Sequence, residues 1–550
     1  MEFTDPSGWR TRLTRRMIDE FTASGIWRGE TLADCALRQA QRQPQAIAVV
    51  EGDRSASFGA LVAQASQLAS AFRASGLKPG DVISFQLPNW MEAMAVNLAA
   101  AMCGLVCNPI VPIYRDAEVL YILRDCRAKM YFIPQTFRSI DYAAMIGRLR
   151  GQLPALQETI VVRGGAEGCT GYDSLLARGD GASFIPAPVD ANAVKLVMYT
   201  SGTTGSPKGV LHTHNTIMAE LVAVNDFFRL ADDDVVLMPS PVTHITGYLY
   251  ALELVLVRGI KAVLMERWNA EEAVRLVEQH RASFTVGATP FLVELIDEAQ
   301  RVGSRLPSMR QFVSGGAPVP PEVIRRANRV LSNGIAFRVY GSTEAPTVTL
   351  GIRDRAQQEL GATTDGKIVN HQVRIVDRVS GQALPEGTEG EIVTRGPELM
   401  VGYTDWQYTL ESFDADGYFH TGDLGYVSHG DHVTVSGRKK DLIIRGGENI
   451  SPKEIEDVLH QHPAIHEAAI VAMPHARLGE TVCAFVIPAA GATVDLQLIR
   501  GCLEQAGLAR QKFPERLEIV ADLPRTASGK VQKNVLRQRI RDALSASNDV

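Results

Sequence analysis

With 550 residues, the chain holds roughly three to four domain-equivalents at about 150 residues each, so it can bury a large core and reads as multi-domain. Hydrophobic residues make up 45% and charged residues 21%, a globular balance that excludes wholesale disorder. Lys and Arg number 56 against 62 Asp and Glu, a net charge of −6, so no basic field invites nucleic acid and a small-molecule partner is the default.

In chain order, the N-terminal MEFTDPSGWRTRLTRRMIDEF carries acidic residues and lacks an apolar core, so it does not read as a secretory signal. Its arginines are expected on a solvated helical face. From about residue 30 to 282, strand-like runs (AIAVV, VISFQL, MYFIP, TIVV, AVKLVMY, VVLM, KAVLM) alternate with helical patterns such as EEAVRLVEQH. That alternation predicts parallel sheets covered by helices, and it continues through SFTVGAT, PFLVELIDEAQ, MRQFVSGGA, PPEVIRRANRVL and IAFRVYGSTE. The most apolar run, 93–107, is shorter than the roughly 20 residues a membrane span needs and contains Asn97, so it predicts a buried helix, with no membrane partner.

After about residue 363 the rhythm changes to short strands broken by glycine turns, HQVRIVD, GEIVTRG, GYFHTGDLGYV and DHVTVSG, which predict a small β-barrel-like or antiparallel subdomain over 363–438. The last hundred or so residues read helix, strand, strand, helix, strand, helix, a compact α+β unit. The expected division is an α/β domain over 1–438, a hinge at 439–441 and a C-terminal α+β domain over 442–550.

Seven cysteines are scattered and odd in number, without any C-x-x-C, which speaks against a zinc site and a disulfide framework and for a reducing, cytoplasmic compartment. Cys103 and Cys107 read as two buried thiols of one apolar helix.

The chemistry concentrates in motifs. Tyr199-Thr-Ser-Gly-Thr-Thr-Gly-Ser-Pro-Lys208-Gly209 follows the strand VKLVM and precedes a helical pattern. Gly202, Gly205 and Gly209 let backbone N–H groups converge on an anion, Ser201, Thr203, Thr204 and Ser206 add hydroxyls, and Lys208 adds a charge. This is a polyphosphate loop, though not the G-x-x-x-x-G-K-[ST] of Walker ATPases. Taken alone, a polar Gly/Ser/Thr turn is the lesser competing reading.

Further along come SGGAP (314–318), YGSTE (340–344), HTGD (420–423), GRKKD (437–441) and PRTASGK (524–530). Together, and in this order over nearly the whole chain, the motifs resemble the acyl-adenylate-forming superfamily of acyl-CoA synthetases, stand-alone adenylation domains and luciferases. The resemblance implies that a carboxylate and ATP form acyl-AMP and pyrophosphate before the acyl group passes to a thiol. It implies that the glycine-rich loop holds the β- and γ-phosphates, with Thr200 and Glu344 near Mg²⁺. Gly315, Gly316, Ala317 and Tyr340 are expected around adenine, Gly341 in the nucleotide site, Thr343 at the α-phosphate, and Asp423 with Arg438 on the ribose hydroxyls. An ionised Asp can accept two hydrogen bonds from a cis-diol. Lys530 resembles the family's adenylation lysine, Lys440 occupies its hinge position, and Gly446 and Gly447 belong to the segment that meets acyl-AMP in the thiol-transfer state.

By the same resemblance the acyl pocket lies along PVTHITGYLY (241–250), residues 287–292 and 315–318, with His244 as gate and Ile245, Gly247, Phe291 and Gly316 in the lining. A larger side chain at Gly247 is expected to fill the floor. Amino-acid-activating members carry an Asp in this neighbourhood and none stands here, so an uncharged tail is implied, since an unpaired buried cation is costly. Ile245 replaces the Asn that often follows the gate His in hydroxybenzoate activators. The nearest flavour is that of bacterial ligases for cyclohexanecarboxylate or for short and medium-chain acids, with ATP, Mg²⁺ and coenzyme A. The competing reading is a stand-alone adenylation enzyme that loads a separate carrier protein; no carrier domain is expected after the final helix, which favours coenzyme A or a separate carrier as acceptor. A homodimer is compatible with either reading.

Overall fold

The computed structural model describes residues 5–200, 207–317, 319–526 and 530–548. Two large sheets dominate. The first has seven strands in the order Ile335–Arg338, Gln311–Ser314, Phe284–Gly287, Val235–Met238, Lys261–Leu264, Ile47–Glu51 and Arg54–Ser57, all parallel except the last pair. The second has eight, in the order Gly402–Tyr403, Lys208–Thr213, Val194–Thr200, Val106–Pro109, Val82–Phe85, Met130–Pro134, Glu158–Val162 and Thr170–Gly171. It is parallel from Val194–Thr200 onward and antiparallel where Lys208–Thr213 turns back.

Helices fill the space between the sheets. One core takes Val49, Val236, Met238 and Phe284 from the first sheet, Phe85, Met130, Leu196 and Met198 from the second, and side chains of helices Phe58–Ala74, Met91–Cys103 and His214–Phe228. Every residue of Met91–Cys103 is buried, as its apolar run requires, and Gly104 closes it in the left-handed conformation at φ 67°. Cys107 lies beyond that stop, in strand Val106–Pro109, so the two thiols do not share a helix. Both are nevertheless buried, and burial pushes the Cys103 thiol up to about 11 and the Cys107 thiol higher still.

The glycine-punctuated stretch forms four antiparallel strands in an open sheet, Gln372–Val376, Gly390–Arg395, Phe419–Ser428 and His432–Arg438. The C-terminal sheet pairs Ile465–His475 with Gly479–Pro488 over ten residue pairs and packs helices Pro452–Leu459 and Leu496–Gln505 around its own core. Between these sheets lies a short 3-10 turn, Lys439–Asp441, whose Asp441 is paired with Arg537 of the last helix. Arg15 and Arg16 are exposed on their helix, as their pattern requires. No described helix is long and apolar enough to cross a membrane.

Candidate functional site

The carboxyl ends of parallel strands in an open α/β sheet are where its loops converge. Here Val235–Met238, Phe284–Gly287, Gln311–Ser314 and Ile335–Arg338 run side by side and lead respectively to His244, to Gly287, to Gly315–Ala317 and to Tyr340–Glu344. Gly287 and Ser314 are directly paired, and Ser314 pairs with Arg338. The pairing leaves no room beside Gly315, where a Cβ would stand 2.8 Å from Val339 backbone oxygen. Gly316, at φ 78°, adopts a conformation that L side chains rarely take, and its open side faces Lys530, 3.8 Å from Cε to an added Cβ.

Tyr340 is buried, and its hydroxyl donates to Asp423 Oδ2 at 2.8 Å. Across the antiparallel pair Asp423 faces Arg438, whose Nε forms an ion pair with Oδ1 at 3.0 Å. Sheet register thus assembles Tyr340, Asp423 and Arg438 from motifs nearly a hundred residues apart. Asp423 raises the guanidinium's proton affinity and so keeps Arg438 charged.

The YGSTE loop is tightly wound: a side chain at Gly341 would meet Pro346 carbonyl oxygen at 1.9 Å, and Ser342 N–H donates to Ala345 oxygen at 2.8 Å. The Thr343 carbonyl accepts from His212 Nε2 at 2.8 Å. Burial lowers His212 to about 4, so the ring is neutral and the geometry assigns its proton to Nε2. Glu344 accepts from Tyr403 Oη at 3.1 Å, and its carbonyl accepts from Met400 N–H at 2.8 Å.

Thr200 ends its strand paired with Lys208 on the return strand. Lys208 Nζ lies 3.9 Å from the Tyr408 ring centroid and 5.5 Å from that of Tyr403. Asp125 fastens the base of this hairpin, accepting from Tyr199 Oη at 2.5 Å and from Thr404 Oγ1 at 2.8 Å. Ser201, Gly202, Thr203, Thr204 and Gly205 lie outside the described residues. Among the described residues, half-buried Glu344 accepts at its side chain only from a neutral hydroxyl, and no three His, Cys, Asp or Glu side chains cluster as a metal cage. That donor set fits Mg²⁺, which takes one or two protein oxygens and completes its shell with phosphates and water.

Lys530 is held by its own loop, its N–H donating to Thr526 Oγ1 at 3.1 Å and its carbonyl accepting from Thr526 N–H at 2.8 Å. Burial, reinforced by Arg438 and opposed by Asp423 and Glu344, brings its ammonium down to about 8. The same lysine charge, added to burial, holds His244 down to about 3. Lys530, Gly316, His244, Asp423, Arg438 and Glu344 are therefore within one electrostatic neighbourhood. Gly446 and Gly447 are not at that spot but at the exposed tip of the hairpin joining Ile443–Arg445 to Glu448–Ile450, with φ of 59° and 91°.

His244 caps the one-turn helix Ile245–Gly247, which runs directly into a π-helical turn, Tyr248–Glu253. Ile245 is buried. Gly247 corrects an expectation: a Cβ there would stand 2.2 Å from Pro241 carbonyl oxygen, so a larger residue would break the loop before it filled any pocket. Phe291 lies over Gly287, with Cδ2 3.1 Å from an added Cβ, and packs against Trp268 at 4.8 Å between ring centroids. Sequence reasoning missed His212 and Asp125, because a buried or half-buried polar residue that supports a loop from another strand or helix leaves no mark at the motif itself.

The AMP-binding enzyme family model matches residues 37–404, and the AMP-binding enzyme C-terminal domain model matches 454–530. A medium-chain fatty-acid–CoA ligase of Escherichia coli is 36% identical over 532 residues, covering 96% of this chain and 93% of its own. A vibriobactin-specific 2,3-dihydroxybenzoate-AMP ligase of Vibrio cholerae is 32% identical over 98% of both chains. The ATP-bound structure of MatB from Rhodopseudomonas palustris superposes with a TM-score of 0.82 at 29% identity, covering 93% of this chain and 99% of that one.

Proposed function

Since this chain belongs to the AMP-binding enzyme family and is an AMP-forming acid–thiol ligase of the adenylate-forming superfamily, we propose that it joins an uncharged cyclic, aromatic or short to medium-chain carboxylic acid to coenzyme A. The observation that carries the acid class is the chemistry around His244. The residues from Ile245 to Leu252 include no charged side chain, and the two carboxyls that touch them are already occupied, Glu220 by Tyr250 and Thr347 and Glu253 by Asn97 and Lys195. A substrate ammonium would enter without a counter-ion.

In the adenylation step a carboxylate oxygen attacks the α-phosphorus and pyrophosphate leaves. Asp423 and Arg438 would hold the ribose, Tyr340 and Gly315–Ala317 the adenine, and Thr343 the α-phosphate. Glu344 and Thr200 would hold Mg²⁺, which neutralises phosphate charge. His244, neutral and with Nδ1 accepting weakly from Thr246 N–H at 3.5 Å, carries its proton on Nε2 and can donate to the acid's carboxylate. Lys530 supplies the cation where two anions meet. In the second step the thiol attacks the acyl carbon and AMP leaves. We assign 439–441 as the hinge that withdraws Lys530 and brings Gly446 and Gly447 to the site.

The acid and the acceptor are tested together by screening carboxylic acids for AMP and pyrophosphate release, with and without coenzyme A. Cyclohexanecarboxylate, benzoate and hexanoate should outperform palmitate and amino acids, with free thioester formed. Pyrophosphate release without a coenzyme A thioester would instead identify a carrier-loading enzyme, the second reading, which the dihydroxybenzoate-AMP ligase relative favours.

Two further outcomes follow from named groups. Because the free-enzyme Lys530 ammonium is lowered from 10.5 to about 8, kcat/KM for adenylation should fall as pH rises through about 8, measured by pyrophosphate exchange. Asp423→Asn leaves an amide N–H₂ facing either Arg438, which can only donate, or the Tyr340 hydroxyl, which would have to give up its present role as donor, and removes an acceptor for ribose. A charge-assisted bond of about 1.5–3 kcal/mol translates into a rise of roughly ten- to a hundred-fold in KM for ATP, with KM for the acid nearly unchanged.

A further inference from the structure

The π-helical turn Tyr248–Glu253 is an unusual local geometry, and π-turns need tertiary partners to persist. Each of its polar side chains has one. Tyr248 Oη donates to Asn97 Oδ1 at 2.7 Å, and Asn97 Nδ2 donates to Glu253 Oε1 at 2.8 Å. Glu253 is also paired with Lys195, both side chains being 2% exposed, and Lys195 belongs to the strand that ends at Thr200. On the other side Tyr250 Oη donates to Glu220 Oε1 at 2.6 Å, and Thr347 Oγ1 donates to the same oxygen while lying 3.1 Å from Tyr250 Oη.

Glu220 is 1% exposed and projects from helix His214–Phe228, which follows the phosphate-loop hairpin. Thr347 stands three residues after Glu344. One carboxyl oxygen therefore joins three elements: the helix behind the phosphate loop, the wall beyond His244 and the segment carrying Glu344. No lone cation faces it: the charged group that acts on it besides its two hydroxyl partners is Glu398, another acid. Burial, with Glu398, pushes the carboxyl up to about 8 against the hydrogen bonds, so at neutral pH it is uncharged.

We propose that Glu220 is a positioning residue that locks the acid-pocket wall to the Glu344 segment, so that bound acid and α-phosphate keep one relative placement. The inference rests on the assignment of 241–250 to the acid pocket made above. A neutral carboxyl that accepts through Oε1 and carries its proton on Oε2 is matched in shape and charge by Gln, whose amide N–H₂ replaces the O–H, and not by Ala. Misplacement of a reacting group costs rate steeply, because positioning supplies much of the advantage of a two-substrate site.

The test measures ATP–pyrophosphate exchange on the full chain with the best acid from the screen, for Glu220→Ala, Glu220→Gln and Thr347→Val, with thermal midpoints alongside. Thr347→Val removes one donor without changing side-chain shape, which guards against a folding failure of Glu220→Ala. Expected is a rise of roughly ten-fold in KM for the acid in the Ala and Val variants, a lower kcat, a KM for ATP close to that of the parent, and rescue by Gln. An unchanged acid KM in both variants, or a Gln variant as impaired as Ala, would overturn the proposal. A defect confined to KM for ATP would overturn instead the pocket assignment on which it rests.

Discussion

Lys530→Ala is expected to lose acyl-adenylate formation by roughly a hundred- to a thousand-fold while keeping thioester formation from pre-made acyl-AMP. The asymmetry comes from where charge develops. Attack of a carboxylate on the α-phosphorus brings two anions together and loads the equatorial oxygens, and Lys530 is a cation close to Gly316 whose charge is felt by His244 and which itself feels Asp423 and Glu344. Thiol attack on the acyl carbon builds no such charge at phosphorus. Pyrophosphate exchange reads the first step, and thioester release from synthetic acyl-AMP reads the second. Equal losses in both, with an unchanged thermal midpoint, would place Lys530 outside the phosphoryl chemistry.

The motifs were legible because each is a local solution to a local demand. Glycines at 315, 316 and 341 stand where backbone approaches backbone or adopts positive φ, and Asp423 and Arg438 stand opposite one another because a hairpin register puts them there. The alternation of strand and helix was legible for the same reason, since AVKLVMY and SFTVGAT bury strands on both faces. What escaped was set by tertiary register. Cys107 falls at a helical spacing from Cys103, but the left-handed Gly104 ends the helix between them. Gly247 reads as an open floor until Pro241 carbonyl oxygen is found against it. His212, Asp125 and Glu220 look like ordinary polar residues of a strand or helix. Their partners, Thr343, Thr404 and Thr347, lie more than a hundred residues away, so no spacing rule connects them.

Lys440→Pro is expected to separate the two half-reactions in the opposite sense from Lys530→Ala. Lys440 is the middle residue of the 3-10 turn Lys439–Asp441, where φ lies near the −65° that proline imposes, so the arrangement with Lys530 close to Gly316 can be kept. Rotation of the C-terminal sheet about this turn requires its dihedrals to change, and proline removes that freedom. The Asp441 pair with Arg537 ties the turn to the last helix, so under the proposed rotation a movement at 440 would carry that helix with it. A barrier increase of about 3 kcal/mol would slow such a rotation roughly a hundred-fold. Pyrophosphate release in a single turnover should therefore stay near the parent's, whereas transfer to coenzyme A becomes rate-limiting and acyl-AMP accumulates on the enzyme. The residue before proline is pushed away from helical φ/ψ, so Lys439 should lose part of its 3.0 Å contact with Glu391, a cost that falls on stability and is read separately as a lower thermal midpoint. If both half-reactions proceed at parental rates, the pivot lies outside 439–441, and the same substitution at neighbouring positions would locate it.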